Sequence, residues 1–159
     1  MFPGLTAAAS CGALSCMSPI HVARTPEEFE RCYKVMRELR THVSLDAFVA
    51  QVGRQIRTQA YELAYIEDGG EVIAVAGYRF VELLAWGKAM YVDDLVTASA
   101  RRGTRWGSRL FDWLVEHAKR SGCDQLHLDS GVQRFDAHRF YLHKGMDITS
   151  HHFAMRLTT

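Results

Sequence analysis

The chain has 159 residues, of which 48% are hydrophobic and 23% are charged, which fits one globular domain with a single core. Its formal net charge of +1 gives no support for a nucleic-acid surface, and no apolar run reaches the roughly 18 residues of a membrane span. The four cysteines form no CxxC pair and are expected to be reduced. We therefore expect a cytoplasmic protein that binds a small molecule, with no nucleic-acid or membrane partner.

The N-terminal residues 1–18 are rich in small and apolar side chains, but they lack the basic start of a secretory signal. We expect them to form an N-terminal extension before a single domain over residues 19–159. An ordered extension must pack against something, and a partner subunit is the hypothesis adopted here. The sequence therefore predicts a homodimer.

The first part of the domain predicts one strand and two helices. A short strand is expected near residues 20–23, and the helix after it has Thr25 as N-cap, Pro26 in its first turn and Glu28 closing a capping box. Ser44 caps the second helix. Apolar residues recur at the helical period in both segments, so each helix is expected to bury one face.

The period of the apolar residues then changes from about 3.6 to 2, which predicts strands. Residues 61–66 and 71–80 are strand-like, and the glycines between them permit a tight hairpin turn. Residues 88–97 form a third long strand. The rest of the chain is predicted to contain, in order, a loop over residues 98–107, a helix that Gly122 ends, a short buried strand over 124–129, a helix over 134–144 that stops at Gly145, and a closing strand over 147–157.

The loop before the third helix has the composition of a phosphate-binding segment. Arg101, Arg102 and Arg105 surround Gly103 and Gly107, directly before the helix begins. A helix N-terminus attracts anions, and glycines let the backbone approach a phosphate closely. An ordinary exposed arginine-rich loop has the same composition, so the loop by itself leaves both interpretations open.

The position of this loop after its strand resembles the acetyl-CoA signature of the GNAT family of N-acetyltransferases. The stretch YVDDLVTASARRGTRWGSRL follows the family's order of a strand, a short loop and an Arg-x-x-Gly-x-Gly motif. Arg102 and Gly107 occupy the first and last motif positions, whereas Arg105 stands in place of the middle glycine. The stretch DAHRFYLHKGM resembles the family's C-terminal signature. The order of the predicted elements is also similar to that of the family.

The resemblance implies an α+β fold, the GNAT fold, with a mixed, mostly antiparallel central sheet and helices on both faces. It implies that the fourth and fifth strands splay apart, that the pantetheine arm of acetyl-CoA lies in the gap, and that the loop amides hold the pyrophosphate. No metal is expected. The residues that the resemblance assigns to acetyl-CoA are Leu95, Val96, Thr97, Arg102, Gly103, Thr104, Arg105, Trp106, Gly107, Ser108, Arg134, Ala137 and Tyr141.

Acetyl transfer from a thioester requires an amine that loses a proton, a stabilised oxyanion and a proton for the departing thiolate. The resemblance assigns that last proton to Tyr141, because a phenol with a pKa near 10 is protonated at neutral pH. Asp93 and Asp94 are the first candidates for the base. Neighbours on a strand point to opposite faces, so we expect only one of them to meet the substrate. The other candidates for the base are Glu82, His127 and Asp129.

Three further positions leave alternatives open. Arg134 stands where the C-terminal signature often has Asn, so it meets either a cofactor phosphate or an anionic group of the substrate. His151 and His152 are expected on opposite faces of the closing strand, where one lines the acceptor pocket or both serve packing. A glycine-like backbone at Arg105 would cost about 1 to 3 kcal/mol, which a phosphate contact could offset, whereas ordinary helical angles would cost nothing.

The predicted function is acetyl-CoA-dependent N-acetylation of a primary amine, by direct transfer. The C-terminal stretch looks most like the branch that acts on small amines, including aminoalkylphosphonates, so the predicted substrate is a small amine that could carry an acidic group. One alternative is a protein or peptide N-acetyltransferase with an open groove. The other is a catalytically idle sensor of acyl-CoA, which Arg105 favours and Tyr141 opposes.

Overall fold

The computed structural model describes residues 18–157 of the chain. Residues 1–17 of the predicted extension, together with Cys11 and Cys16, lie outside the described residues, as do the last two residues. No helix within residues 18–157 is long and apolar enough to cross a membrane. The regular elements are β1 (Ile20–Val22), α1 (Pro26–Met36), α2 (Leu45–Gln59), β2 (Tyr61–Asp68), β3 (Glu71–Leu83), β4 (Gly87–Thr97), a short 3-10 turn (Ser99–Arg101), α3 (Trp106–Arg120), β5 (Gln125–Leu128) and α4 (Phe135–His143).

The capping residues and turn glycines identified in the sequence form the predicted caps and turns. The Thr25 hydroxyl accepts a hydrogen bond from the Glu28 amide, and the Glu28 carboxylate accepts one from the Thr25 amide, which completes the capping box. Ser44 caps α2 through the Ala47 amide. The hairpin between β2 and β3 turns at two glycines with positive φ, which glycine adopts at little cost.

The five strands form one sheet in the order β1-β2-β3-β4-β5. The first four pair antiparallel with their neighbours, whereas β4 and β5 are parallel. Helices α1 and α2 bury their apolar sides on one face of the sheet, and α3 packs on the other. Helix α4 reaches α3 through Phe140, whose ring lies edge-on to Phe111. The predicted mixed sheet with helices on both faces is confirmed.

A β-bulge in the middle of the sheet positions the site. Gly77 pairs with Asp94 and Tyr78 pairs with Val92, so Asp93 is the extra residue of β4. Bulges bend a strand and increase its twist. The pairing of β4 with β5 ends at Val92 and Leu128, yet β4 continues to Thr97. Past the bulge the two strands therefore separate, as the fold prediction requires.

The predicted closing strand over residues 147–157 is wrong. This segment has no regular secondary structure, and its apolar side chains Phe153, Met155 and Leu157 are 90%, 84% and 89% exposed. The opposite-face arrangement predicted for its two histidines fails with it. An alternating pattern makes a segment able to form a strand, but a strand needs a partner edge, and this one pairs with no other described strand. Because no other described strand pairs with its outer side, β5 is a half-buried edge strand and not the buried strand that was predicted.

Gly77, which lies at the bulge, has a packing role that the sequence does not reveal. A Cβ added at Gly77 would lie 1.9 Å from the Tyr61 hydroxyl, so the Tyr61 ring occupies the space of a side chain. We expect Gly77→Ala to lower the free energy of unfolding by about 1 to 3 kcal/mol, because the buried ring must move. Urea unfolding monitored by circular dichroism measures the loss.

The matched control is Gly53→Ala in the middle of α2, where a new Cβ would meet only the flexible Arg57 side chain at 3.4 Å. That variant should gain roughly 0.5 to 1 kcal/mol, since alanine favours a helix over glycine. An equal change in both variants would contradict the role given to the Tyr61 ring.

Candidate functional site

A cavity of about 780 Å³ opens where β4 leaves β5. The end of β4, the loop before α3, the first turn of α3 and the start of α4 form its walls. Every residue that the sequence analysis assigned to acetyl-CoA lines this cavity except Thr104, whose hydroxyl instead donates to the Arg101 carbonyl. Residues from position 38 to position 141 of the chain thus meet at one cavity.

Two glycines shape the loop for different reasons. Gly103 has a φ of 75° and open space around the position of a Cβ, so its conformation is what requires glycine. Gly107 lies in the first turn of α3, where a Cβ would be 2.9 Å from the Thr97 hydroxyl oxygen. The helix N-terminus can therefore lie directly against the end of β4.

The N-terminus of α3 offers a site for an anion. No side chain caps it, and its first turn has no acidic residue. The first amides of a helix have no partner within the helix and mark the positive end of its dipole. Because these amides face a cavity that arginines also line, the cavity has the electrostatic character that a phosphate needs.

Arg105 adopts a glycine-like backbone conformation. It is the N-cap of α3, with a φ of 70° and a ψ of −1°. Of the two alternatives drawn from the sequence, the strained one is observed. The neighbouring Arg101 and Arg102 form ion pairs with Asp68 and Glu38, whereas the exposed Arg105 guanidinium has no acidic partner within residues 18–157. Its charge is thus available to a ligand.

A second cavity of about 120 Å³ adjoins the first. The two share lining residues, among them Arg134 and Tyr141. Asp93, Asp129 and Arg40 line only the smaller one, so charges of both signs surround a small volume. A small polar compartment therefore lies beside the large one at the point where the strands separate.

The two neighbouring aspartates face the same side of the sheet, so the predicted opposite orientation is wrong. The Asp93 carboxylate accepts two hydrogen bonds from Arg79, at 2.9 and 2.8 Å. The Asp94 carboxylate accepts one from Arg40 at 2.6 Å, and the same guanidinium donates to the Asp93 carbonyl. Strict alternation fails because Asp93 is the extra residue of the bulge.

The two carboxylates nevertheless have different surroundings. Asp93 lines the smaller cavity, whereas Asp94 lies beneath Arg40 and lines neither cavity. Burial raises the pKa of Asp94, and the nearby Arg40 charge opposes that rise. Asp94 thus acts on the cavity only through Arg40, which it holds in place.

Tyr141 lies at the junction of the two cavities. Its ring is half-buried and packs against Phe111 and Phe140. Burial raises the pKa of its phenol, and the positive charge of Arg134 opposes that rise. The hydroxyl is consequently protonated throughout the neutral range and able to donate a proton.

The remaining candidates for the base differ in position. Asp129 lines the smaller cavity and accepts a hydrogen bond from the Tyr91 hydroxyl at 2.5 Å. The His127 ring stacks on Trp86 at 3.8 Å, and burial lowers its pKa. Glu82 is exposed and lines neither cavity. Position thus favours Asp129 among these three.

Two polar residues of the smaller cavity, Arg40 and Ser130, escaped the sequence analysis. Arg40 follows α1 in a polar loop, where nothing in the pattern marks it. Ser130 follows β5, and its buried hydroxyl has no hydrogen-bond partner among the described residues. No group of three or more potential metal-ligating side chains occurs within residues 18–157.

Comparison with known proteins agrees with this architecture. Residues 23–146 match the acetyltransferase (GNAT) family. The chain belongs to this family. It is 30% identical over 128 residues to the uncharacterized N-acetyltransferase YhdJ of Bacillus subtilis, with 80% of this chain and 90% of that protein covered. The family and its relatives identify the chain as an N-acetyltransferase, whose family uses acetyl-CoA.

Two further similarities cover less sequence or show the fold alone. A segment of 54 residues is 39% identical to aminoalkylphosphonate N-acetyltransferase of Salmonella typhimurium, covering 34% of this chain and 35% of that enzyme. The structure of an aminoglycoside N-acetyltransferase, AAC(6')-Iy, in complex with CoA has a TM-score of 0.75 at 12% identity, with coverage of 87% and 95%. The sheet and helices of this chain therefore form a GNAT fold.

The conformation of Arg105 can be tested by stability. A left-handed φ costs a residue with a Cβ about 1 to 2 kcal/mol, and glycine loses about 0.5 to 1 kcal/mol through its freer unfolded chain. We expect Arg105→Gly to raise the free energy of unfolding by about 0.5 to 1 kcal/mol, because relief of strain exceeds that loss. Denaturant titration without ligand provides the measurement.

Arg105→Ala is the matched control, because it removes the charge but keeps the Cβ and therefore the strain. Its stability should stay close to that of the original chain. If the alanine and glycine variants are equally stable, the backbone at position 105 is not strained.

Proposed function

We propose that this N-acetyltransferase transfers the acetyl group of acetyl-CoA directly to the primary amine of a small molecule that bears an acidic group. The observation that carries this proposal is the pair of adjoining cavities with Tyr141 at their junction. The larger has the volume and positive character for a coenzyme, and the smaller, of about 120 Å³, admits only a small acceptor group.

The larger cavity fits acetyl-CoA through groups of this chain. Beyond Val92, the backbone of Leu95, Val96 and Thr97 is free of β5 and can pair with the amides of the pantetheine arm. The first amides of α3, those of Trp106, Gly107 and Ser108, have no partner within the helix and can hold the pyrophosphate. Arg105 and Arg134 supply positive charge, Gly103 and Ala137 shape the wall, and Arg102 fixes the loop to Glu38. Thr104 holds the loop through its hydrogen bond to the Arg101 carbonyl.

The ion pair with Glu38 holds the Arg102 guanidinium and makes it less available to a phosphate group. The Arg102 guanidinium donates to the Glu38 carboxylate at 2.9 Å and to the Thr97 carbonyl at 3.2 Å. Its first role is to hold the loop against β4, and the phosphate charge is met by other arginines and by the helix amides.

The acceptor site follows from the charges of the smaller cavity. Asp93 and Asp129 attract an ammonium group, and Arg40 and Arg134 attract an anionic group on the same molecule. The partial match to an aminoalkylphosphonate N-acetyltransferase supports the same class of acceptor. A protein or peptide substrate, the alternative drawn from the sequence, would need a wider groove than a cavity of this size.

In the proposed reaction, the bound ammonium group first loses one proton to solvent. The neutral amine nitrogen then bonds to the thioester carbonyl carbon, and the carbon–sulfur bond breaks. The nitrogen becomes acidic as it bonds to the carbon, and Asp93 accepts its proton, directly or through water. Arg79 fixes the orientation of Asp93, while Asp94 fixes Arg40. Tyr141 donates its phenolic proton to the departing thiolate, and no covalent intermediate on the protein is required.

The function is tested by release of free CoA from acetyl-CoA in the presence of an amine panel. We expect aminoalkylphosphonates and short amino acids to be acetylated with kcat/KM at least tenfold above that of alkylamines of equal length without the acid. Mass spectrometry of the products identifies the acetylated nitrogen. Preference for peptides over every small amine would favour the protein or peptide alternative and contradict the proposal.

The role of Tyr141 is tested by Tyr141→Phe. We expect kcat to fall at least tenfold with little change in the Kd of acetyl-CoA, because only the proton donor is lost. Burial raises the pKa of the Tyr141 phenol above its ordinary value, so the phenol keeps its proton, and kcat should not decline through loss of that proton anywhere in the neutral range. Stopped-flow turnover and calorimetric binding provide the two measurements.

The matched control is Phe140→Leu, which alters the neighbouring ring but leaves the phenol. Normal turnover in Tyr141→Phe would remove Tyr141 from the mechanism.

The cytoplasmic location and the homodimer stay predictions.

A further inference from the structure

The smaller cavity contains a buried hydroxyl group that the proposed reaction does not use. Ser130 lies two residues past the end of β5 and lines this cavity but not the larger one. Its Oγ atom is buried and has no hydrogen-bond partner among the described residues. Because a buried hydroxyl without a partner costs free energy, most such groups are paired. The position of Ser130 therefore indicates that a group bound in the smaller cavity is its partner.

Most arginines near this cavity are already paired with carboxylates. Arg79 holds the Asp93 carboxylate at 2.8 Å. Arg40 holds the Asp94 carboxylate at 2.6 Å. Arg134 lines the cavity as well, but it forms no ion pair with an acidic side chain in the part of the chain that the structure describes. One positive charge on the cavity wall is therefore unbalanced.

Asp129 carries the corresponding negative charge. One of its carboxylate oxygens accepts a hydrogen bond from the Tyr91 hydroxyl at 2.5 Å and lies 3.0 Å from His152 Nδ1. No lysine or arginine of residues 18–157 pairs with this carboxylate. Asp129 and Arg134 thus present opposite charges to a cavity of about 120 Å³. An acceptor with an ammonium group at one end and an anionic group at the other balances both.

The hydrogen-bond donors for the anionic group come from three separate elements. Ser130 follows β5, Arg134 is the N-cap of α4, and Arg40 lies in the loop after α1. The orientation of Arg40 is fixed, because its guanidinium donates to the Asp94 carboxylate and to the Asp93 carbonyl. A phosphonate or phosphate group has three terminal oxygens and can offer one to each donor, whereas a carboxylate has only two. Three donors therefore favour a tetrahedral oxyanion.

We propose that Ser130 determines the specificity of the acceptor site for an amine that carries a phosphonate or phosphate group. The Ser130 hydroxyl donates its hydrogen to one oxygen of that group, and Arg134 and Arg40 bind the others. This inference rests on the proposed function, because it names the acidic group of the same acceptor. An amine without that group leaves the buried hydroxyl unpaired, and a site of this kind discriminates strongly against such an analogue.

The first test compares three acceptors of similar length, namely aminoethylphosphonate, β-alanine and propylamine. For the original chain we expect kcat/KM to be highest for aminoethylphosphonate and lowest for propylamine. Ser130→Ala should lower kcat/KM for aminoethylphosphonate by about tenfold or more, mainly through KM, because a hydrogen bond to a charged group is lost. The loss for propylamine should be much smaller, since propylamine has no oxygen for the hydroxyl to contact.

Two further variants serve as controls. Ser130→Thr keeps the hydroxyl and should retain the preference for aminoethylphosphonate. Ser121→Ala removes the hydroxyl of the C-cap of α3, which lines neither cavity, and should leave the kinetics of all three acceptors unchanged. Without ligand, Ser130→Ala should melt at or above the melting temperature of the original chain, because it removes an unpaired buried hydroxyl.

Methylphosphonate serves as a probe of the anion site without turnover. Calorimetric titration into protein saturated with CoA, which occupies the pyrophosphate loop, should give a Kd that rises by about tenfold or more in Ser130→Ala. Acetate should bind the original chain more weakly than methylphosphonate does. This measurement requires no acetyl transfer, so failure of the anion site can be distinguished from failure of the proposed function.

Three results would overturn the inference. Equal losses for aminoethylphosphonate and propylamine in Ser130→Ala would mean that the hydroxyl acts at the reacting atoms and not on the anion. An original chain that acetylates β-alanine as efficiently as aminoethylphosphonate would contradict the preference for a tetrahedral group. An unchanged Kd of methylphosphonate in Ser130→Ala would show that the hydroxyl does not bind the anion.

Discussion

The register shift opposite Gly77 is the constraint on which the site depends. One extra residue in β4 turns both aspartates toward the same face and bends the strand away from β5. The gap that results is where both cavities meet and where Tyr141 can approach them. Beside the bulge, the Tyr61 ring fills the space over Gly77. A single irregularity thus connects core packing with chemistry.

Backbone amides and charged side chains both contribute to the electrostatic potential of the site. At one end, the amides of α3 and the arginines of its loop present positive charge to the larger cavity. At the other end, paired charges of both signs surround the smaller cavity. Arg79, Arg101 and Arg102 are already held by carboxylates, so they position the walls rather than bind ligands. Arg105 differs, because its strained backbone leaves an exposed guanidinium at the mouth of the site.

Short-range patterns predicted the helices and the first four strands well, because caps, glycine turns and apolar period act within a few residues. The capping box at Thr25 and the loop glycines are examples. The site was predicted only in part. The resemblance located the loop and Tyr141, but strict alternation misplaced Asp93 and Asp94, since a bulge depends on which residue of the neighbouring strand pairs with it. Arg40 and Ser130 carried no local signal.

The sequence by itself determined the family and the order of the elements from β1 to α4, whereas the choice between the two alternatives at Arg105 came from the structure. Local backbone preferences and the spacing of motif residues decide these features. Only the tertiary structure decided which residues meet at the smaller cavity, where β4 parts from β5, and that the segment over residues 147–157 does not close its own sheet. Those outcomes depend on strand register and on the availability of a partner edge, which are properties of the assembled sheet and not of any single segment.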